Sequence, residues 1–317
     1  MLQPIKKVVV GLSHSHLDEE LIDYTNFLAE TTEVNHIYFV HVVNLHLPAK
    51  VLAEFPDLER EALEERRQEV EALVAEHCHE EKRIVSHSVE IIQSSNNLKG
   101  LLKAIGKFDA DLVVIGRIKD KEKSSVITQR LARRAPCQIL ILPEGAYKRI
   151  EGGMQIKTIL VPIDFSEYSS LALDRAIRFA RRNKDKHEIE IVCQYVYRLP
   201  SGYHLTGKSE SEFSDIMCTN AKEGWDEFMK DIDASDVNIR IVYSKDINDD
   251  LTSDIRDLAN EIDADVIIIG SKGRTATAAL FLGSFAEKLI NNTTHFSLLV
   301  VRKKKEYDSI LDRIKKL

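Results

Sequence analysis

Short apolar runs rich in valine and isoleucine recur along the chain, and each stops at a glycine, a proline or a polar cluster. In the first half they are Val8–Leu12, Ile37–Val43, Val85–Ile92, Leu112–Gly116 and Gln138–Leu142. Runs of this length and composition predict parallel strands buried on both faces. Between them the apolar spacing changes to that of helices: about Asp18–Glu30, a charged Leu- and Glu-rich segment over Glu59–Lys82, then Leu98–Ile105 and Val126–Ala132. The charge run reads as one solvated helix face. Strands alternating with helices in this way predict an α/β fold, a mostly parallel open sheet flanked by helices.

The pattern then restarts. IKKVVVGLSHS at Ile5–Ser15 lies on IKTILVPIDFS at Ile156–Ser166 without a gap, and Ala29 falls on Ala180 in the same register of 151 residues. DADLVVIGR at Asp109–Arg117 lies on DADVIIIGS at Asp263–Ser271, in a register of 154. The chain therefore reads as two tandem copies of one domain of about 150 residues, over residues 1–146 and 155–303. Their joint lies in Glu144–Gln155, where Gly145, Gly152 and Gly153 sit among charged residues. In the tail, residues 304–317, Ile310, Leu311, Ile314 and Leu317 fall at helical spacing, so a short amphipathic helix docked on its own protein is expected.

Charge narrows the partners. With 44 basic against 51 acidic residues the net charge is −7, which removes the basis for general nucleic-acid binding. No apolar run approaches the ~18 residues of a membrane span, and the beginning MLQPIKKVVVG lacks a secretion signal. Cys78, Cys137, Cys193 and Cys218 show no C-x-x-C spacing, so reduced thiols in the cytoplasm are expected.

The densest candidate chemistry lies in Asp265–Asn292, where an apolar strand ends at Ile269, a small-residue loop follows, and a helix begins near Ser284. Gly270, Gly273 and Gly283 punctuate the loop as G-x2-G-x9-G followed by a hydroxyl residue. Glycines admit close backbone approach and positive φ, and a helix start offers unpaired N–H groups, so the segment reads as a phosphate cradle. Lys272 and Arg274 add positive charge. Ser284 with Glu287 three residues on has the spacing of a capping box. The loop matches neither G-x4-G-K-[S/T] nor G-x-G-x-x-G.

KTILVPIDFSEYSSLALDRAIRFA at Lys157–Ala180, DADVIIIGSKG, GSFAEKLI and SLLVVR resemble the universal stress proteins in their tandem, two-domain form. The resemblance spans nearly the whole chain, and its most specific part is the G-x2-G-x9-G-[S/T] signature of Gly270, Gly273, Gly283 and Ser284. It implies two five-stranded parallel sheets flanked by helices, intrachain pairing of the two repeats, and in some members a homodimer. It also implies ATP, or ADP or AMP, bound in the second repeat, with Mg²⁺ a possible companion. Carried over to this sequence, Asp164 would hold ribose or adenine with Pro162 and Ile163 beside it. The backbone of Tyr195 would meet the adenine edge. Ile269, Gly270 and Gly273 would lie along ribose and phosphates, with Lys272 and Arg274 nearby. The amides of Gly283, Ser284 and Phe285 would take the outer phosphates.

Two positions depart from the family pattern: Gln194 and Phe296 stand where members often carry His and Pro. The first repeat departs further. Ser13 replaces Asp164, Gly11 replaces Pro162, and RIKDKEKSSVITQRL after Gly116 has no second or third glycine, with Lys119 in the register of Gly273. This repeat is expected not to bind nucleotide in the same way. Its histidines, His14 with His16, His41 with His46, and His77 with His79, include H-x-H pairs that on an extended segment share a face, but no four-ligand zinc spacing can be read. The expected function is a nucleotide-dependent stress or regulatory protein whose protein partners the sequence does not name. A slow ATP hydrolase and a nucleotide-independent scaffold are the alternatives, because Asp164 is the one carboxylate placed for chemistry.

Overall fold

A computed structural model describes residues 2–45, 47–78, 85–118, 122–146, 155–274, 282–292 and 295–304, the side chains of 122–125 excepted. The chain divides into two compact units: Gln3–Met154 with Lys303–Leu317, and Gln155–Arg302 with Met1–Leu2. The joint at 147–154, the expected tail helix, His46, His79 and Lys119 lie outside the described residues.

The first unit runs β1 (Lys7–Leu12), α1 (Leu17–Thr31), β2 (His36–Val43), α2 (Ala49–Glu54), α3 (Leu58–His77), β3 (Ser86–Gln93), α4 (Asn97–Phe108), β4 (Leu112–Arg117), α5 (Glu122–Arg134) and β5 (Gln138–Pro143). Its strands are parallel in the order β3-β2-β1-β4-β5. The second unit runs β6 (Thr158–Pro162), α6 (Glu167–Asn183), β7 (Glu190–Tyr197), a 3₁₀ turn at Tyr203–Thr206, α7 (Glu210–Met229), β8 (Asn238–Lys245), α8 (Leu251–Glu261), β9 (Val266–Gly270), α9 (Ser284–Asn292) and β10 (Ser297–Val301). Its parallel order, β10-β9-β6-β7-β8, is the same topology. Val8, Val9 and Val10 in one central strand and Ile159, Leu160 and Val161 in the other are fully buried, as strands covered on both faces require.

The repeated DAD triplet has a physical reason. Asp109 and Asp263 take left-handed φ of 51° and 48° after α4 and α8, a conformation a short polar side chain tolerates. Ala110 and Ala264 are buried. Asp111 then accepts the N–H groups of Lys6 and Lys7, both at 3.0 Å, and Asp265 those of Lys157 and Thr158 at 2.7 and 3.0 Å. Each unit thus ties the entry of its central strand to the neighbouring strand with one carboxylate. Lys304 adds a bond to Asp111 at 2.9 Å within the first unit.

Several helix starts carry side-chain caps. Asn96 accepts from Lys99 N–H at 2.9 Å, Ser166 from Ser169 N–H at 3.2 Å, and Ser209 forms a reciprocal capping box with Glu212. α3 buries only Val70 and Val74, the solvated helix its charge run predicts.

Candidate functional site

In the second unit one cavity of about 550 Å³ opens at the carboxyl ends of β6, β7 and β9. Open α/β sheets place ligands at this end because the strand termini and following helix starts converge there. Pro162, Ile163 and Asp164 line it from β6, Tyr195 from β7, and Ile269, Gly270, Lys272, Gly273 and Arg274 from the end of β9 and its loop. Gly283, Ser284 and Phe285 line it from the start of α9. All twelve residues singled out in the sequence therefore meet around one space. Ser169, Gln194, Val196, Leu251, Ile255, Leu282, Ala286 and Glu287 line it as well.

The geometry corrects several expectations about how these residues act. None of the three signature glycines is left-handed; among the described residues the glycines with positive φ are Gly145 and Gly207. Their purpose is close approach. A Cβ on Gly270 would lie 2.6 Å from the Tyr168 carbonyl oxygen, and one on Gly273 would lie 2.8 Å from Asp164 Oδ2. At Gly283 a Cβ would meet Lys272 Cα at an ordinary 3.4 Å, so this glycine clears space at the cavity wall.

The helix start also differs. α9 begins at Ser284, so Gly283 occupies the cap position and its carbonyl accepts the first intrahelical bond, from Glu287 N–H at 3.0 Å. Ser284 is the first helical residue rather than the capping serine of a box. The Gly283 N–H already donates to Ser271 O at 2.8 Å, which closes the loop and removes it from the set of phosphate donors. The amides of Ser284, Phe285 and Ala286 remain in the first turn, where no intrahelical carbonyl reaches them. They carry the partial positive charge of the helix end, next to Lys272 and Arg274.

Asp164 ties the two loops together. One oxygen accepts Ser166 N–H at 3.1 Å, and the other accepts Arg274 N–H at 3.0 Å across the mouth of the cavity. Arg274 also reaches the Tyr195 hydroxyl at 3.4 Å. Beside Asp164, Phe165 holds a left-handed φ of 59°, unusual for a bulky residue. Its ring lies flat on Tyr195, 4.5 Å between centroids and 12° between planes, and tilts against Phe228 at 5.6 Å. The Tyr195 side chain thus belongs to the aromatic face under α7, while Gln194 and Val196, alternating with it along β7, face α8.

At the corresponding end of the first unit the same backbone turn is filled from within. His14, in the register of Phe165, is left-handed at φ 57°. Asp18, only 1 % exposed, accepts the N–H groups of Ser13, His14 and Ser15 at 3.0, 2.7 and 3.3 Å. Ser169 stands in that register in the second unit, where its hydroxyl donates to Ser166 O at 2.9 Å. Leu17 lies over Gly116, whose Cβ would be 2.4 Å from Leu17 Cδ2.

The described H-x-H pair, His14 with His16, does not form a shared face, although the His14 and His41 rings meet edge to face at 6.3 Å between centroids. His14 Nδ1 is 3.2 Å from Arg66 Nη1 and must be the acceptor, because a guanidinium only donates. His16 turns instead to Glu144 at 2.8 Å, so the two share no face. His41 is held by Leu12 O at 3.1 Å, and burial with nearby Arg66 lowers its pKa. Among the described residues no group of three or more His, Cys, Asp or Glu side chains is placed to hold a metal ion. No described helix is long and apolar enough to cross a membrane.

Comparison with known proteins agrees with this architecture. The model of the Universal stress protein family matches residues 4–143 and again 155–302. The Universal stress protein E homolog of Haemophilus influenzae is 24% identical over 278 residues, 80% of this chain and 81% of that protein. A putative universal stress protein of Staphylococcus aureus is 28% identical over 146 residues, 46% of this chain and 84% of its own length. Among solved structures, a putative universal stress protein from Pseudomonas aeruginosa superposes with a TM-score of 0.63 over 98% of each chain at 14% identity, a likeness of fold. The chain therefore belongs to the universal stress protein family and carries that family's domain twice.

Proposed function

We propose that the second domain binds ATP or a related adenine nucleotide and that nucleotide state regulates the protein in a stress response. The observation that supports this reading is the single cavity in which the glycine loop, the free first-turn amides of α9 and the cations of Lys272 and Arg274 meet an apolar slot of Val196, Leu251 and Ile255. The amides and cations suit phosphates and the apolar side chains suit a planar base, and the volume lies within the ~300–1,000 Å³ of small-molecule sites. Magnesium would enter on the phosphates.

Binding is favoured over turnover. Each oxygen of Asp164 already accepts one backbone N–H, which stabilises the carboxylate as a clamp between the loops and lowers its strength as a general base. The first domain is read as structural or regulatory, because Asp18 and Leu17 fill the corresponding places.

Calorimetric titration of ATP with Mg²⁺ into the full chain tests this. One site per chain is expected. Gly283→Val should weaken it by about tenfold or more: its Cβ alone already meets the backbone of Lys272, Ser271 and Gly273 at 3.4–3.7 Å, so the two methyls beyond it crowd the glycine loop, and an unchanged thermal midpoint would show that the fold is kept. Absence of binding at millimolar nucleotide would instead favour a nucleotide-independent scaffold.

A further inference from the structure

The two units place different rings at the same two positions beside the end of the central strand. His41 and Tyr195 are the sixth residues of β2 and β7, strands that pair with β1 and β6 in the same register. His14 and Phe165 are the left-handed residues that follow β1 and β6. In the second unit these positions hold a stack of two uncharged rings, Phe165 on Tyr195, against which α7 packs with Gly224 and Phe228. In the first unit they hold two imidazoles, edge to face with 6.3 Å between centroids. The helix on them is α3, and it brings a guanidinium, Arg66, whose Nη1 donates to His14 Nδ1 at 3.2 Å. A titratable pair beside a fixed cation thus stands where the sister unit has an aromatic stack.

The geometry is that of the neutral pair. Arg66 only donates, so its bond requires a free lone pair on His14 Nδ1. His41 Nδ1 donates to Leu12 O at 3.1 Å, so a second proton would enter at Nε2 of a ring that is 9 % exposed. Burial lowers the pKa of His41, with Arg66 and His14 acting in the same sense and the Leu12 carbonyl and Asp18 against them. Asp18, from α1, faces the turn, but its carboxylate already accepts the N–H groups of Ser13, His14 and Ser15. Glu69, from α3, pairs with Arg66 at 2.6 Å.

Acid reverses this arrangement. A proton on His14 Nδ1 sets donor against donor and cation against cation. α3 is otherwise lightly held there: it buries only Val70 and Val74, and Arg67 adds one bond to the Val89 carbonyl at 2.9 Å. Its far end behaves oppositely. His77 Nδ1 lies 3.2 Å from Asp23 Oδ1, a contact that protonation of His77 turns into an ion pair. We propose that His14 and His41 form a pH-sensitive switch in the first domain, in which acid frees the Arg66 turn of α3 from the strand ends while the His77 end stays on α1. The sign follows from burial. His41 is depressed in the fold, so its contribution is present above the ordinary histidine value of 6.5 and is lost as the pH falls from there towards the lowered value.

Hydrogen–deuterium exchange of the full chain at pH 7.5 and pH 5.0, corrected for the intrinsic pH dependence of exchange, tests this without a variant. Amides of residues 58–69 should lose protection by about fivefold at the lower pH, the effect of about one net hydrogen bond. Those of α4 and α7 should change by less than about twofold. α7 is the built-in control, because it lies on Phe165, a ring that does not titrate. Unchanged protection of residues 58–69, or a loss shared by α4 or α7, would overturn the switch. His14→Phe combined with His41→Tyr installs the rings of the second unit at the same two positions and should abolish the pH response of α3; a response that persists would equally overturn it. Where that variant does not fold, the wild-type comparison decides.

Discussion

Gly270→Ala is expected to destabilise the second domain by about 3 kcal/mol. The new methyl would sit 2.6 Å from the carbonyl oxygen of Tyr168 and 2.7 Å from its carbonyl carbon, both backbone atoms in the first turn of α6. No rotamer change relieves a backbone clash, so α6 must lift from β9, on which it packs. The entropic gain from replacing glycine in the unfolded chain, roughly 0.4–1 kcal/mol, is too small to offset this. Trp225, the chain's single tryptophan, lies in α7 of the second domain, so its fluorescence in a urea titration reports that domain. A midpoint well below wild type is the expected result. Gly116→Ala is the internal control at the matching place in the first domain. There the methyl meets the end of the Leu17 side chain, which can turn aside, and roughly half the loss is expected. Equal stability of Gly270→Ala and wild type would show that α6 and β9 are not held at this distance.

Why Gly270 is needed was not legible from sequence, although its importance was. Three glycines at a fixed spacing suggest left-handed turns as readily as close contacts. Distinguishing the two requires knowing that α6 crosses β9 at Tyr168, a relation between segments about 100 residues apart in the chain. The left-handed residues beside the strand ends are His14 and Phe165, and nothing in a phenylalanine announces positive φ. The strands, by contrast, were plain, because a sheet covered on both faces demands uninterrupted apolar runs. α7 is hard to read for the opposite reason: among its residues only Ala221 is buried, so its apolar stripe is faint. The apolar lining of the cavity was equally silent. Val196, Leu251 and Ile255 follow the same periodicities as core residues, and a cavity wall and a core look alike along the chain. Gln194 stands out in sequence as a departure from the family pattern and as a polar residue within the buried stretch Ile191–Gln194 of β7.

Asp18→Ala is expected to destabilise the first domain by about 3 kcal/mol, the second large effect. The Asp18 carboxylate is buried and takes three successive backbone N–H groups, from Ser13, His14 and Ser15, in a turn bent by the left-handed His14. Truncation leaves those donors facing a methyl group. Each unpaired buried donor costs about 1–3 kcal/mol, reduced where water can enter, and the exposure of Ser13 admits some water. Asp18→Asn keeps one acceptor oxygen without the charge, so it should lose about half as much. Far-UV circular dichroism during urea unfolding measures the whole chain, whereas Trp225 fluorescence follows the second domain. For Asp18→Ala the dichroism should show an early transition; the fluorescence shifts only if the two domains unfold together. An unshifted transition by both probes would mean that the turn in the first domain holds its shape without the carboxylate. The reading of Asp18 as the group that fills this repeat would then have to be given up.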